Sequence, residues 1–199
     1  MDTELQGGAV SAEPASPIID LSFPHSWHAQ ILPARPLILP SRHFVYPQHA
    51  EEVERGALEV LIRPSEDKQP FLATCALGFR DPIVPTGLWS CPKREELCAV
   101  SGGYAYILDT TAPERFTMIA YRPVLEVRPI SAQNLLLFVG HHGILAWGNN
   151  GQAWQSEKLS DEGVTITAIK GDQLHGKGWS MMTDAETPFG LGLRTGQRT

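Results

Sequence analysis

The sequence predicts a mostly β protein made of antiparallel meanders, and three observations carry that prediction. From residue 88 onward, short runs rich in apolar and β-branched residues alternate with turn residues, the spacing of strands rather than of helices. The turns have hairpin chemistry. Asn149-Asn150-Gly151 supplies the positive φ angles that a tight hairpin demands, and Gly102-Gly103, Asp161-Glu162-Gly163 and Lys170-Gly171-Asp172 act similarly. Finally, the chain superposes on itself at an offset of 39 residues.

Residues 1–40 form an extended, Pro-rich N-terminal arm with Pro14, Pro17, Pro24, Pro33, Pro36 and Pro40. Proline removes backbone donors and disfavours helix before it, so Pro33-Ala34-Arg35-Pro36-Leu37-Ile38-Leu39-Pro40 is extended and unsuited to a central strand. The first ~15 residues read as disordered by composition. Residues 18–40, with Ile18, Ile19, Phe23, Trp27 and Ile31, are too apolar for a free tail and are expected to lie along the domain surface.

Residues 41–199 form a single β domain. Its only helical signal is 50–55, acidic at the start and followed by Gly56. A strand is expected at 57–63, a hairpin loop at 64–69 and a second β run from Pro70 to Phe79. Further strands are expected at 97–102, 104–109, 116–121, 124–128, 135–139, 144–147, 153–159, 164–169, 174–179 and 189–194.

At the 39-residue offset Val100 falls on Val139, Tyr106 on Leu145, Leu108 on Trp147, Val127 on Ile166 and Leu135 on Leu174. The period approaches that of a four-stranded propeller blade. Residues 97–134 and 136–173 are then two copies of one meander, with Leu108 and Trp147, and Val127 and Ile166, on matching faces. The chain is short for a closed ring, so the expected architecture resembles an incomplete β-propeller of two or three blade-like sheets, with edges covered by the arm.

The run Glu96-Leu97-Cys98-Ala99-Val100-Ser101-Gly102-Gly103-Tyr104-Ala105-Tyr106, followed by Leu136-Leu137-Phe138-Val139, Ala146-Trp147-Gly148 and Gly151-Gln152-Ala153-Trp154, resembles a family of small uncharacterised bacterial proteins with propeller-blade-like meanders. The resemblance spans roughly residues 45–197. It implies a fold, and no activity or catalytic residue comes with it.

Composition narrows the function. Apolar residues make up 42% and charged residues 19% of the chain, enough for an ordinary core, and the net charge is −6. No Lys/Arg cluster is present to meet a phosphate backbone, so nucleic acid is not an expected partner. The longest apolar run, Leu135-Leu136-Leu137-Phe138-Val139, is far short of a membrane span, and no membrane partner is expected. The N-terminus has neither the basic nor the apolar region of a secretory leader, so the expected location is cytoplasmic. Cys75, Cys91 and Cys98 read as reduced thiols. Cys91 and Cys98 are the pair that could act as a redox switch or half of a zinc site.

Candidate binding residues are His141, His142, Trp147 and Trp154. The adjacent histidines, flanked by Gly140 and Gly143, can ligate a metal or move a proton only if a turn brings them together, since neighbours on a strand point to opposite faces. Trp147 and Trp154 flank the Asn-Gly hairpin and could form a cross-strand pair or a stacking surface. His25-x-x-His28, with Asp20 nearby, is a metal half-site in need of a third ligand. No nucleophile elbow, HExxH or P-loop occurs. The expected function is a non-catalytic interaction or ligand-binding protein without a cofactor, its partner a protein or small molecule. The alternative is a metal-dependent, hydrolase-like enzyme using His141 or His142.

Overall fold

The computed structural model describes residues 16–48, 55–65 and 68–199. Among these residues sixteen strands form four sheets that follow one another along the chain. The first sheet contains β2 (His28–Leu32), β3 (His43–Tyr46), β4 (Ala57–Arg63) and β5 (Phe71–Ala76), in the order β2-β4-β5-β3. The second contains β1 (Ile18–Asp20), β6 (Gly87–Ser90), β7 (Glu96–Ser101), β8 (Tyr104–Asp109) and β9 (Phe116–Met118), in chain order. The third is the meander β10 (Glu126–Ile130), β11 (Leu135–Val139), β12 (Ile144–Gly148) and β13 (Gly151–Gln155). The fourth is β14 (Val164–Lys170), β15 (Gln173–Ser180) and β16 (Ala185–Gly192). All pairings are antiparallel except β1 with β6 and β3 with β5.

Three apolar cores lie in series between consecutive sheets. Val60, Ile62 and Phe71 of the first sheet meet Leu97, Ala99 and Leu108 of the second. From the other face of the second sheet, Cys98, Val100 and Ile107 meet Leu136, Phe138 and Trp147 of the third. Leu137, Val139 and Ala146 then meet Ile166, Leu174 and Phe189 of the fourth. The inner sheets are therefore buried on both faces, which explains why β11 is an unbroken apolar run rather than an alternating one. A fully buried side chain such as Phe138 contributes about 1.5–3 kcal/mol.

The 39-residue offset relates strand positions of one sheet to those of the next. It carries Gly87, which opens β6, onto Glu126, which opens β10, and Glu96 of β7 onto Leu135 of β11. Leu108 and Trp147 each face the sheet that precedes their own, and so do Val127 and Ile166. The match ends inside β14. A register shift between Ile166 and Ala168 turns the rest of the strand over, so Leu135 faces forward to the fourth sheet while Leu174 faces back to the third.

Three expectations change. Neither 97–134 nor 136–173 is one meander, because β10 belongs to the third sheet and β14 to the fourth; the connection between β9 and β10 passes between the sheets, held by buried Ile119 and Val124. There are four sheets rather than two or three, the first of them built on β3, β4 and β5 ahead of the meanders read from the repeat. β1 is an edge of the second sheet and β2 an edge of the first, so the arm does occupy edges. β16 starts earlier than expected because Pro188 sits within it opposite Lys177, a position an edge strand tolerates. The expected helix at 50–55 lies almost wholly, and the disordered first ~15 residues wholly, outside the described residues. Among the described residues no helix is long and apolar enough to cross a membrane.

Candidate functional site

The site is built where two turns meet at one end of the first sheet. After β1 the chain is pinned by Phe23, whose amide donates to Ser90 Oγ at 2.8 Å, and by Trp27, whose Nε1 donates to the carbonyl of Glu96 at 3.0 Å. Both side chains are buried, so the short turn between them has a fixed course. His25 lies on that turn with Nδ1 3.0 Å from the Phe23 carbonyl and its ring 4.6 Å from the Trp27 ring. His28 opens β2, and its partner across the sheet is Arg63, the last residue of β4. From there the chain turns through Pro64 and Ser65, and through Lys68 and Pro70, into β5.

Between the turns lies a cleft of about 560 Å³, within the usual range for small-molecule sites. His25, Ser26, Trp27 and His28 line one side; Arg63, Ser65 and Lys68 line the other, over Pro64 and Pro70. Two side chains are cationic, two are imidazoles and two are hydroxyls, and no carboxylate lines the cleft among the described residues. Glu66 and Asp67, next in sequence after Ser65, lie outside them. Lys68 Nζ donates to the Thr111 carbonyl at 3.2 Å, which ties it to the end of the second sheet. This set of donors suits an oxyanion.

The metal half-site expected at His25 and His28 acquires cations in place of a third ligand. Asp20 accepts instead from the amide of Ser22 at 3.0 Å and from its hydroxyl. Among the described residues no three His, Cys, Asp or Glu side chains gather as a metal would require.

The outward face of the same sheet holds a second polar group. Glu59 is 5% exposed. Its carboxylate accepts from Arg35 Nε at 2.7 Å and from the buried Thr74 hydroxyl at 2.5 Å. With the Thr74 proton directed to Glu59, its oxygen accepts from His43 Nε2 at 2.8 Å. Burial lowers the pKa of His43, opposed by the Glu59 charge and aided by Arg35. Arg35 belongs to the proline-rich segment 33–42, which runs over this face as a strap. At its far end the Arg42 carbonyl accepts from the Leu72 amide at 3.0 Å, and the Arg42 side chain donates to the Gln69 carbonyl at 2.6 Å.

The other expected site residues are dispersed. His141 and His142 do lie on a turn, between β11 and β12, but their rings are 6.3 Å apart and His142 Nδ1 sits 3.1 Å from the Ser160 carbonyl. Trp147 and Trp154 are both buried, on opposite faces of the third sheet, since a bulge between Ala146 and Trp147 sets Trp147 opposite Gln152. Their indole donors are satisfied internally, by Glu96 Oε2 at 2.8 Å and the Leu193 carbonyl at 2.6 Å. Cys91 and Cys98 sit in the core between the second and third sheets, and burial pushes both thiols well up. They are inert as nucleophiles in this fold.

Sequence reasoning found His25 and His28 but missed Arg63 and Lys68. The missing signal was the β2–β4 pairing, which joins segments about thirty residues apart. No protein-family profile, curated protein or solved structure matches this chain.

Proposed function

We propose that this is a ligand-binding protein that holds a small oxyanion, a phosphate or carboxylate group, in the cleft between the His25–His28 turn and the end of β4. One observation carries the reading: two cations, two imidazoles and two hydroxyls from separate segments line a single cleft without a carboxylate among its described lining residues. Among the described residues, no side-chain hydrogen bond or ion pair engages Arg63 or His28, both of which line the cleft. The arrangement supports binding rather than turnover. Ser26, a hydroxyl on the cleft wall, donates to the Arg94 carbonyl at 3.3 Å rather than to a base. Trp27 and the two prolines supply apolar walls for the remainder of a ligand.

Calorimetric titration with inorganic phosphate and with glycerol phosphate tests this. Saturable binding is expected, weakened about tenfold or more by Arg63→Gln with Lys68→Gln, because charge-assisted hydrogen bonds contribute roughly 1.5–3 kcal/mol. Binding that survives the double substitution unchanged, or no binding to either probe, would overturn the assignment.

A further inference from the structure

The strap carries three consecutive large aliphatic side chains that are exposed to water. Leu37 is 105% and Ile38 88% exposed, and Leu39 beside them is 45% exposed. Three consecutive large aliphatic side chains in water are not a folding requirement, and they mark an interaction surface. They are also held in place. Pro33, Pro36 and Pro40 restrict the backbone, Arg35 is fixed to buried Glu59 at one end, and Arg42 is fixed to Gln69 at the other.

The crest and two residues of the cleft, His28 and Arg63, belong to the same side of the first sheet. Val60 and Ile62 of β4 point into the core, so Glu59 and Arg63 point outward by strand alternation, and His28 shares the face of its partner Arg63. Among the described strand residues on this side Glu59 is the one carboxylate, and Arg35 pairs with it. In sequence no Asp or Glu occurs between Asp20 and Glu51, in a chain whose net charge is −6. An apolar crest with Arg42 at its end, a cation with no carboxylate partner among the described residues, next to an oxyanion cleft, is the pattern of a surface that meets anionic lipid.

We infer that the first sheet docks this protein on an anionic bilayer, with Leu37 and Ile38 entering the acyl boundary and a lipid headgroup phosphate held by Arg63 and Lys68. This rests on the oxyanion reading of the cleft and names the source of the anion. It departs from the expectation of no membrane partner, which rested on the lack of a spanning segment. A convex crest suits a bilayer, which closes around an inserted side chain, better than it suits a rigid groove. The contact is peripheral: two inserted side chains and a few cations give reversible binding.

The test is co-sedimentation of the full chain with vesicles of phosphatidylcholine alone and of phosphatidylcholine with about 30% phosphatidylglycerol, together with the emission of Ile38→Trp. The expected result is at least about tenfold stronger partitioning onto the anionic vesicles, weakened by salt, with a blue shift of the Ile38→Trp difference spectrum. Leu37→Ser with Ile38→Ser should lower partitioning about thirtyfold. Arg63→Gln with Lys68→Gln should lower it about tenfold. The Ser variant should keep the parent's melting temperature, because the substituted side chains are already in water. If glycerol phosphate binds but the vesicles do not, the docking inference fails and the oxyanion reading stands. If the vesicles bind without dependence on Arg63 and Lys68, the headgroup assignment is overturned. If the crest instead mediates a concentration-dependent dimer that the Ser variant abolishes, the surface belongs to a second copy and the bilayer is excluded.

Discussion

The first and fourth sheets are the two ends of the stack, and they treat their outward faces differently. On the fourth sheet Thr165, Thr167 and Lys177 point to solvent, and Lys177 pairs with Glu186 at 3.2 Å with both side chains about half exposed. On the first sheet the outward positions Glu59, Leu72 and Thr74 are buried, and a strap from elsewhere in the chain covers them. A polar face can be left to water at little cost. A face with a carboxylate under a cover must satisfy every polar group, because an unpaired buried charge costs far more than an exposed one. The same stack therefore has one end stabilised by composition and the other by a specific network.

Removing the centre of that network should produce the largest effect. Glu59→Ala leaves the Thr74 hydroxyl without its acceptor and Arg35 without its partner, and urea unfolding should show a loss of about 2–3 kcal/mol. A loss no greater than that of an exposed substitution would mean that the strap contributes nothing and the comparison is void.

The same network gives a dependence on pH. The pKa of His43 is lowered from 6.5 in the folded chain, chiefly by burial, so the unfolded chain takes up the proton first as pH falls. Stability from this site is complete above about pH 6.5 and declines as pH drops below it. His43→Gln should flatten the stability profile below about pH 6.5 relative to the parent. Parallel profiles would show that the imidazole is not held neutral by its surroundings.

At the fourth sheet the expected effect is smallest. Lys177→Ala and Glu186→Ala should each change unfolding free energy by under about 0.5 kcal/mol, since the pair is exposed on both sides. A cost near that of Glu59→Ala would mean that this face, too, is covered by something.

The contrast also explains what could be read from the sequence. In the fourth sheet Val164, Thr165, Ile166 and Thr167 alternate apolar and polar, and the strand was legible residue by residue. The same parity relates β7 to β11 and β8 to β12 at an offset of 39 residues, whereas β9 and β13 do not superpose at it and the β14 bulge ends the match. In β5 the run Phe71-Leu72-Ala73-Thr74-Cys75-Ala76 is buried throughout, and no local pattern says what covers its outward face. That cover is residues 33–42, read as an arm on the surface because its prolines argue against a central strand. They permit edges, and β2 and β3 flank the strap as edges. The site was half visible for a related reason. His25 and His28 stand out as a spaced pair, whereas Arg63 and Lys68 join them only through sheet pairing.

The serial arrangement of the cores has a consequence for how the chain is made. Among the described residues each core lies between one sheet and the next, and the arm residues that join them, such as Phe23 in the second core, come earlier in the sequence than the sheets they join. A nascent chain emerging from the ribosome can therefore complete the first sheet, dock the second against it, and add the third and fourth in turn. Each docked sheet becomes the template for the one still being translated. The growing end therefore carries an apolar face for the shortest time that synthesis allows.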